Sequence, residues 1–176
     1  MITKIPNIAE VPDQESQGKR VFRKIYIVLD DDVDYSKLPS IVVEETKRTC
    51  EALNLKEGVK WAELSFCKYT GQRTTEGSSG DITTAVTNTL TGTLGGHRIE
   101  IDNLLETFAG RSVHVVEIDR FTQKKYILTR PYSPMIFSAF SGRKNSDNTS
   151  TDVTFSNESF FQPLEYLGEV VSAAMA

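Results

Sequence analysis

Between Asp81 and Leu94 the sequence DITTAVTNTLTGTL alternates with a period of two. Ile82, Val86, Leu90 and Leu94 share one parity. Thr83, Thr87, Thr89, Thr91 and Thr93 share the other, together with Ala85. Such a period marks a strand with one buried and one wet face. Fourteen residues at the strand rise extend ~46 Å, whereas a compact chain of 176 residues has a radius of gyration of only about 16 Å. The strand is therefore as long as the domain that carries it. It must bend between sheets, curl around a barrel, or finish its pairing on another copy.

Other segments sort by the same patterning. Residues 1–19 carry Pro6, Pro12 and Gly18 and read as an extended arm. VFRKIYIVLD, Val21 to Asp30, reads as a strand. The next region is ambiguous. Val42, Thr46, Cys50 and Leu53 fall at helical spacing behind Ser40 as a candidate N-cap, which favours a helix from Ile41 to Asn54, although IVVEET also suits a strand. VKWAELSFCKYTG reads as a strand with Ala62, Leu64 and Phe66 on one face and Trp61, Cys67 and Tyr69 on the other. QRTTEGSSGD reads as a polar loop.

Ile101, Leu104, Leu105 and Phe108 follow the i, i+3, i+4, i+7 pattern of a short amphipathic helix that Gly110 ends. SVHVVEID and KKYILTR read as strands around a turn from Arg120 to Gln123. MIFSAF and TDVTFS read as another pair around the loop SGRKNSDNTS, whose turn-forming residues predict mobility. The fold class is α+β, mainly antiparallel β. The expected architecture is a β-sandwich or barrel with one or two short helices and a long projecting β-hairpin. The boundaries are an arm over 1–19, a β domain over 20–160 and a C-terminal assembly segment over 161–176. That last segment carries Phe160, Phe161, Leu164 and Tyr166 at or near its start, apolar residues that need cover.

Composition narrows the function. A net charge of −4 argues against a general nucleic-acid binder. No run approaches a membrane span. The polar N-terminal stretch lacks a signal-peptide core, so folding in a cytoplasm is expected. Cys50 and Cys67 suit small buried hydrophobes there, and the sequons at Asn148 and Asn157 are chance matches.

Chemistry is sparse. Asp30, Asp32 and Asp34 open like a calcium loop, but Tyr35 stands at its glycine position and Ile41 at its bidentate glutamate, so no metal site is expected. His97 and His114 are not at zinc-ligand spacing, and His114 should face water or a polar neighbour. Nucleophile elbows, phosphate loops and dinucleotide fingerprints are missing, so neither a catalytic site nor a cofactor is expected. Arg120, Lys124 and Lys125 mark one hairpin tip, and Arg143 and Lys144 another. They suggest an anion patch or merely soluble tips.

The segment GDITTAVTNTLTGTLGG, the helix IDNLLETFAG and the strands SVHVVEID and KKYILTR occur in an order that resembles the tail tube proteins of bacteriophages and related contractile injection systems. The resemblance spans roughly residues 20–170 as an order of elements and has no signature motif. It implies a homo-oligomeric ring, expected to be a hexamer, stacked into a tube in a virion, with other tail or connector proteins at its ends. DNA would pass through without specific binding. The assembly residues are then Ile82, Val86, Leu90, Leu94, Phe160, Phe161, Leu164 and Tyr166. The candidate lumen face is Thr83, Thr87, Thr89, Thr91 and Thr93. Alternatives are a tail terminator or head–tail connector ring, and a monomeric barrel that binds a small ligand or carries an unrecognised enzyme site.

Overall fold

A computed structural model describes residues 7, 24–67, 70–79, 84–96, 98–119, 122–144, 149–159 and 161–172. Its elements are β1 (Lys24–Leu29), a 3-10 turn (Asp30–Asp32), β2 (Ile41–Val43), β3 (Arg48–Cys50), β4 (Ala62–Ser65), β5 (Gln72–Ser79), β6 (Thr84–Gly95), α1 (Ile99–Phe108), β7 (Ser112–Ile118), β8 (Lys125–Ile127), β9 (Met135–Lys144), β10 (Thr149–Glu158) and β11 (Leu164–Tyr166). The class is α+β with a predominantly antiparallel sheet. Among the described strands only the β11–β3 ladder is parallel, with one isolated parallel bridge between Trp61 and Ser172.

β7 is the branch point. One edge pairs with β1, which pairs in turn with β4. The other edge is shared: Val116–Ile118 pair with β8, while Ser112 and Val113 pair with β9. From β8 the sheet continues through β11 and β3 to β2, and from β9 through β10 and β6 to β5. The second arm curls back toward β4. The Cys67 amide donates to the Thr93 carbonyl at 2.8 Å, and the Thr93 amide donates to Thr70 Oγ1 at 3.1 Å.

This curl encloses the larger of two cores. Ile25, Ile27 and Leu29 of β1 point into it, while Tyr26 and Val28 point into the smaller one. That is why β1 reads as an unbroken apolar run: both of its faces are buried. β4 and the residues flanking it divide similarly, with Ala62, Leu64 and Phe66 in the larger core and Trp61 in the smaller. Helix α1 presents Ile101, Leu104 and Phe108 to the larger core, with Leu105 at its margin. Glu100 and Asp102 in its first turn suit the positive end of the helix dipole. Beyond its end Gly110 adopts φ +80°, and its amide donates to the Phe137 carbonyl at 2.8 Å.

Three expectations require correction. The segment read as a helix from Ile41 to Asn54 is the hairpin β2–β3, in which Ile41 pairs with Cys50 and the Glu44 amide donates to the Lys47 carbonyl at 2.8 Å. Its helical spacing is overridden because β-branched Ile41–Val43 extends a sheet that β11 already templates through Thr49. QRTTEGSSGD is not a loop in its described part. It supplies β5, paired with β6 from Gln72 to Ser79. Its polarity reflects an edge strand exposed along nearly its whole length.

The loop SGRKNSDNTS is likewise mostly strand. β9 runs to Lys144 and β10 starts at Thr149, so only 145–148 fall outside the described residues. Backbone pairing carries it, and Ser150 and Thr151 are buried. From the segment expected over 161–176, Leu164 and Tyr166 pack into the smaller core with Tyr26 and Val28. Of the N-terminal arm only Asn7 is described. Its Oδ1 accepts from the Glu63 amide at 2.6 Å.

Candidate assembly surface

The long strand is resolved by having neighbours on both sides. β6 pairs with β5 from Thr84 to Thr91 and with β10 from Thr87 to Gly95. With β9 they form a four-stranded ribbon in the order β9-β10-β6-β5. Among the described residues Thr84 and Ala85 pair only with β5, while the Val86 carbonyl also accepts from the Ser159 amide just past β10 at 2.8 Å, so the hairpin overshoots β10 only at its tip.

The two parities of β6 separate as the alternation predicts. Leu90 and Leu94 are fully buried in the larger core with Val153, Phe155 and Phe137. Gly92 shares this face because a Cβ there would stand 2.5 Å from the Phe66 ring. Asn88 is also buried there. Its Oδ1 accepts from Thr75 Oγ1 at 2.8 Å, and its Nδ2 donates to the Ser159 carbonyl at 3.4 Å.

On the opposite parity Thr87, Thr89, Thr91 and Thr93 are partly exposed. Paired residues share a face, so Thr89 lies between Thr74 and Ser156, Thr91 between Gln72 and Thr154, and Thr87 between Glu76 and Glu158. Thr93 Oγ1 donates to Asp152 at 2.6 Å. The result is a field of hydroxyls with three carboxylates, continued on β9 by Ser141 opposite Asp152 and Arg143 opposite Ser150.

Among the described residues the ribbon has two open edges. Among the described residues β5 pairs only with β6. Among the described residues β9 pairs with β7 only through Met135 and Ile136, and the Phe137 amide extends this by donating to the Arg111 carbonyl at 3.1 Å. A register shift near Thr154 then leaves Ser138 unopposed, and among the described residues the outer edge has no strand partner from there to Lys144, with Phe140 half-exposed.

The expected assembly residues fall into three groups. Leu90, Leu94, Leu164 and Tyr166 are corrected to the interior: each is at most 2% exposed inside this chain's own cores. Their burial stabilises the fold by ~1.5–3 kcal/mol apiece, and they present no face to a second copy. Val86 is partly buried, and Phe161 is exposed but lies 4.0 Å from the Arg130 guanidinium in a cation–π stack. Ile82, Phe160 and Thr83 lie outside the described residues, as does His97.

Polar clusters elsewhere have internal duties. His114 is fully buried. Its Nε2 lies 2.9 Å from Asp30 Oδ1 and its Nδ1 lies 2.9 Å from Thr129 Oγ1. Tyr35 donates its hydroxyl to the same Asp30 oxygen and stacks on Tyr132 with centroids 4.6 Å apart. Burial, partly opposed by Asp30, holds the imidazole below its ordinary pKa. The polar-neighbour reading of His114 is therefore the right one. Thr129 is itself only 2% exposed, so the pair has no solvent-facing nucleophile.

The acidic loop is tied down in the same way. Asp31 bonds Arg111 at 2.8 Å, and Asp34 accepts from Ser36, bonds that lower the Asp34 pKa. Among the described residues no three His, Cys, Asp or Glu side chains group to hold a metal ion. Cys50 and Cys67 are free thiols, and burial pushes Cys50 up to about 11 and raises Cys67. At the first basic tip Lys124 pairs with Glu165 at 2.9 Å and Lys125 donates to the Gly168 carbonyl, so neither is free for an anion. Arg120 is outside the described residues.

One pair escaped the sequence reading, Arg73 and Glu117. The available signal was that Glu117 shares the parity of Val113 and Val115, a carboxylate on a core-facing register. No helix among the described residues is long and apolar enough to cross a membrane. No protein-family model matches the chain, and no curated protein matches it.

Proposed function

We propose that this chain is a self-assembling structural protein, a ring subunit of a phage tail tube, acting in the virion and not as an enzyme. The observation that carries the reading is the ribbon β9-β10-β6-β5, whose two outer edges are open among the described residues. Its strands alternate in direction. When copies are related by rotation about an axis along the strands, β9 of one therefore meets β5 of the next antiparallel, and each copy satisfies its neighbour's unpaired amides and carbonyls. A heterologous contact of this kind closes into a ring when the rotation closes. Open edges otherwise invite indiscriminate pairing.

The threonine face supports the same reading. Were it to line a channel, hydroxyls and the carboxylates Glu76, Asp152 and Glu158, set against the one guanidinium of Arg143 placed on this face by its pairing with Ser150, would repel more than hold a passing phosphate backbone, since phosphate adhesion requires an excess of Lys and Arg. Six copies per ring and stacking of rings belong to the proposal, with tail or connector proteins at the tube ends. Negative-stain imaging with solution mass tests it. Rings or stacked tubes are expected, single unstacked rings would indicate a terminator or connector, and a discrete 20 kDa species at all concentrations would sink the assembly reading.

A further inference from the structure

Glu117 and Arg73 meet at one end of the larger core. Glu117 lies on β7 at the parity of Val113 and Val115, with a side chain only 8% exposed. Its Oε1 accepts from Arg73 Nη1, while its Oε2 is buried and accepts no hydrogen bond. Arg73 sits near the start of β5, opposite Leu90, with its side chain 36% exposed. β5 is otherwise hydrogen-bonded only to β6 among the described residues, so this pair spans from an edge strand to the branch strand of the fold.

Among the described residues the groups around the carboxyl are few. Ile25 of β1 and Tyr126 of β8 stand opposite Glu117 on either side. Leu64 of β4, opposite Ile25, adds only apolar surface, as does Leu90 of β6, opposite Arg73. Arg73 is the cation that favours ionisation, and Asp119 on the same chain segment opposes it. Burial outweighs the guanidinium and pushes the carboxyl up to about 7. An ionisable group half of whose oxygens lack a donor is poised between two states instead of being locked in one.

We propose that Glu117 and Arg73 form a latch that fastens the start of β5 to β7 when the carboxyl is ionised and loosens it when the carboxyl takes a proton. The latch lies within one chain and does not depend on the assembly reading. Engagement and ionisation favour one another: Arg73 in place lowers the carboxyl's proton affinity, so acidification favours release. The sign for the whole fold is the reverse. The folded carboxyl holds its proton up to about 7 instead of the ordinary 4.5, so its contribution to stability is present below 4.5 and is lost as pH rises toward 7. Attachment of β5 and global stability therefore move in opposite directions across this window.

Hydrogen–deuterium exchange of the β5 peptide, compared between the wild type and Glu117→Gln at the same pH and concentration, removes the intrinsic pH dependence of exchange. At pH 8 the wild-type strand should be protected roughly fivefold more than the variant, the scale of a partly exposed ion pair, and at pH 6 the ratio should approach one. An equal ratio at both values would overturn the latch. Arg73→Gln provides a second arm by carbon NMR of the carboxyl. The Glu117 titration midpoint should rise, and an unmoved midpoint would show that the guanidinium does not govern the proton.

Discussion

The ring of Phe66 lies flat against Gly92, so close that a Cβ on residue 92 would stand 2.5 Å from two ring carbons. Phe66 follows β4, and Gly92 is inside β6. The contact therefore sits where the far arm of the sheet curls back onto the near one, beside the bond from the Cys67 amide to the Thr93 carbonyl. Gly92→Ala should destabilise the chain by ~1–3 kcal/mol, because a fully buried ring has no space into which to retreat. Urea melts of the purified variant measure it, and a loss within a few tenths of a kilocalorie would mean the two arms are not in contact there.

Helix α1 provides a graded comparison. Leu104 is fully buried, while Leu105 only borders the core. Leu104→Ala should cost ~2–5 kcal/mol and Leu105→Ala distinctly less. Equal losses in denaturant melts would place the helix in a different rotation about its axis.

The His114 cluster predicts acid sensitivity. Folded His114 resists protonation and sits below the ordinary 6.5, so below about 6.5 the unfolded chain takes up a proton that the folded chain refuses. Stability therefore falls as pH drops from about 6.5, opposing the contribution of Glu117. His114→Gln should remove that acid slope while Glu117→Gln steepens it, and melts between pH 5 and 8 distinguish the two. Asp30→Ala should cost ~1–3 kcal/mol by leaving His114 and Tyr35 without their shared acceptor.

Assembly and folding should separate cleanly by position. Leu90→Asp should unfold the chain, since Leu90 lies at the centre of the larger core. Phe140→Glu, on the free part of the β9 edge and half-exposed, should leave the far-ultraviolet circular dichroism unchanged while reducing association in light scattering. If Phe140→Glu associates as well as the wild type, the β9 edge is not the contact between copies.

Much of the fold could be read directly from local pattern. The alternation from Val86 to Leu94, the helical spacing from Ile101 to Phe108 and the apolar run of β1 each reflect a periodicity that burial imposes on a single element. They needed no knowledge of neighbours. Ile41–Cys50 and Gln72–Ser79 could not be read that way, because an edge strand is defined by its partner and not by its own side chains: β11 templates β3, and β6 templates β5. Which parity of β6 was apolar was plain from the sequence. That its leucines face this chain's own interior and not a second copy was decided only when the sheet curled, because a strand carries no record of what lies across from it. The same holds for Arg73 and Glu117, far apart in sequence and joined only by that curl.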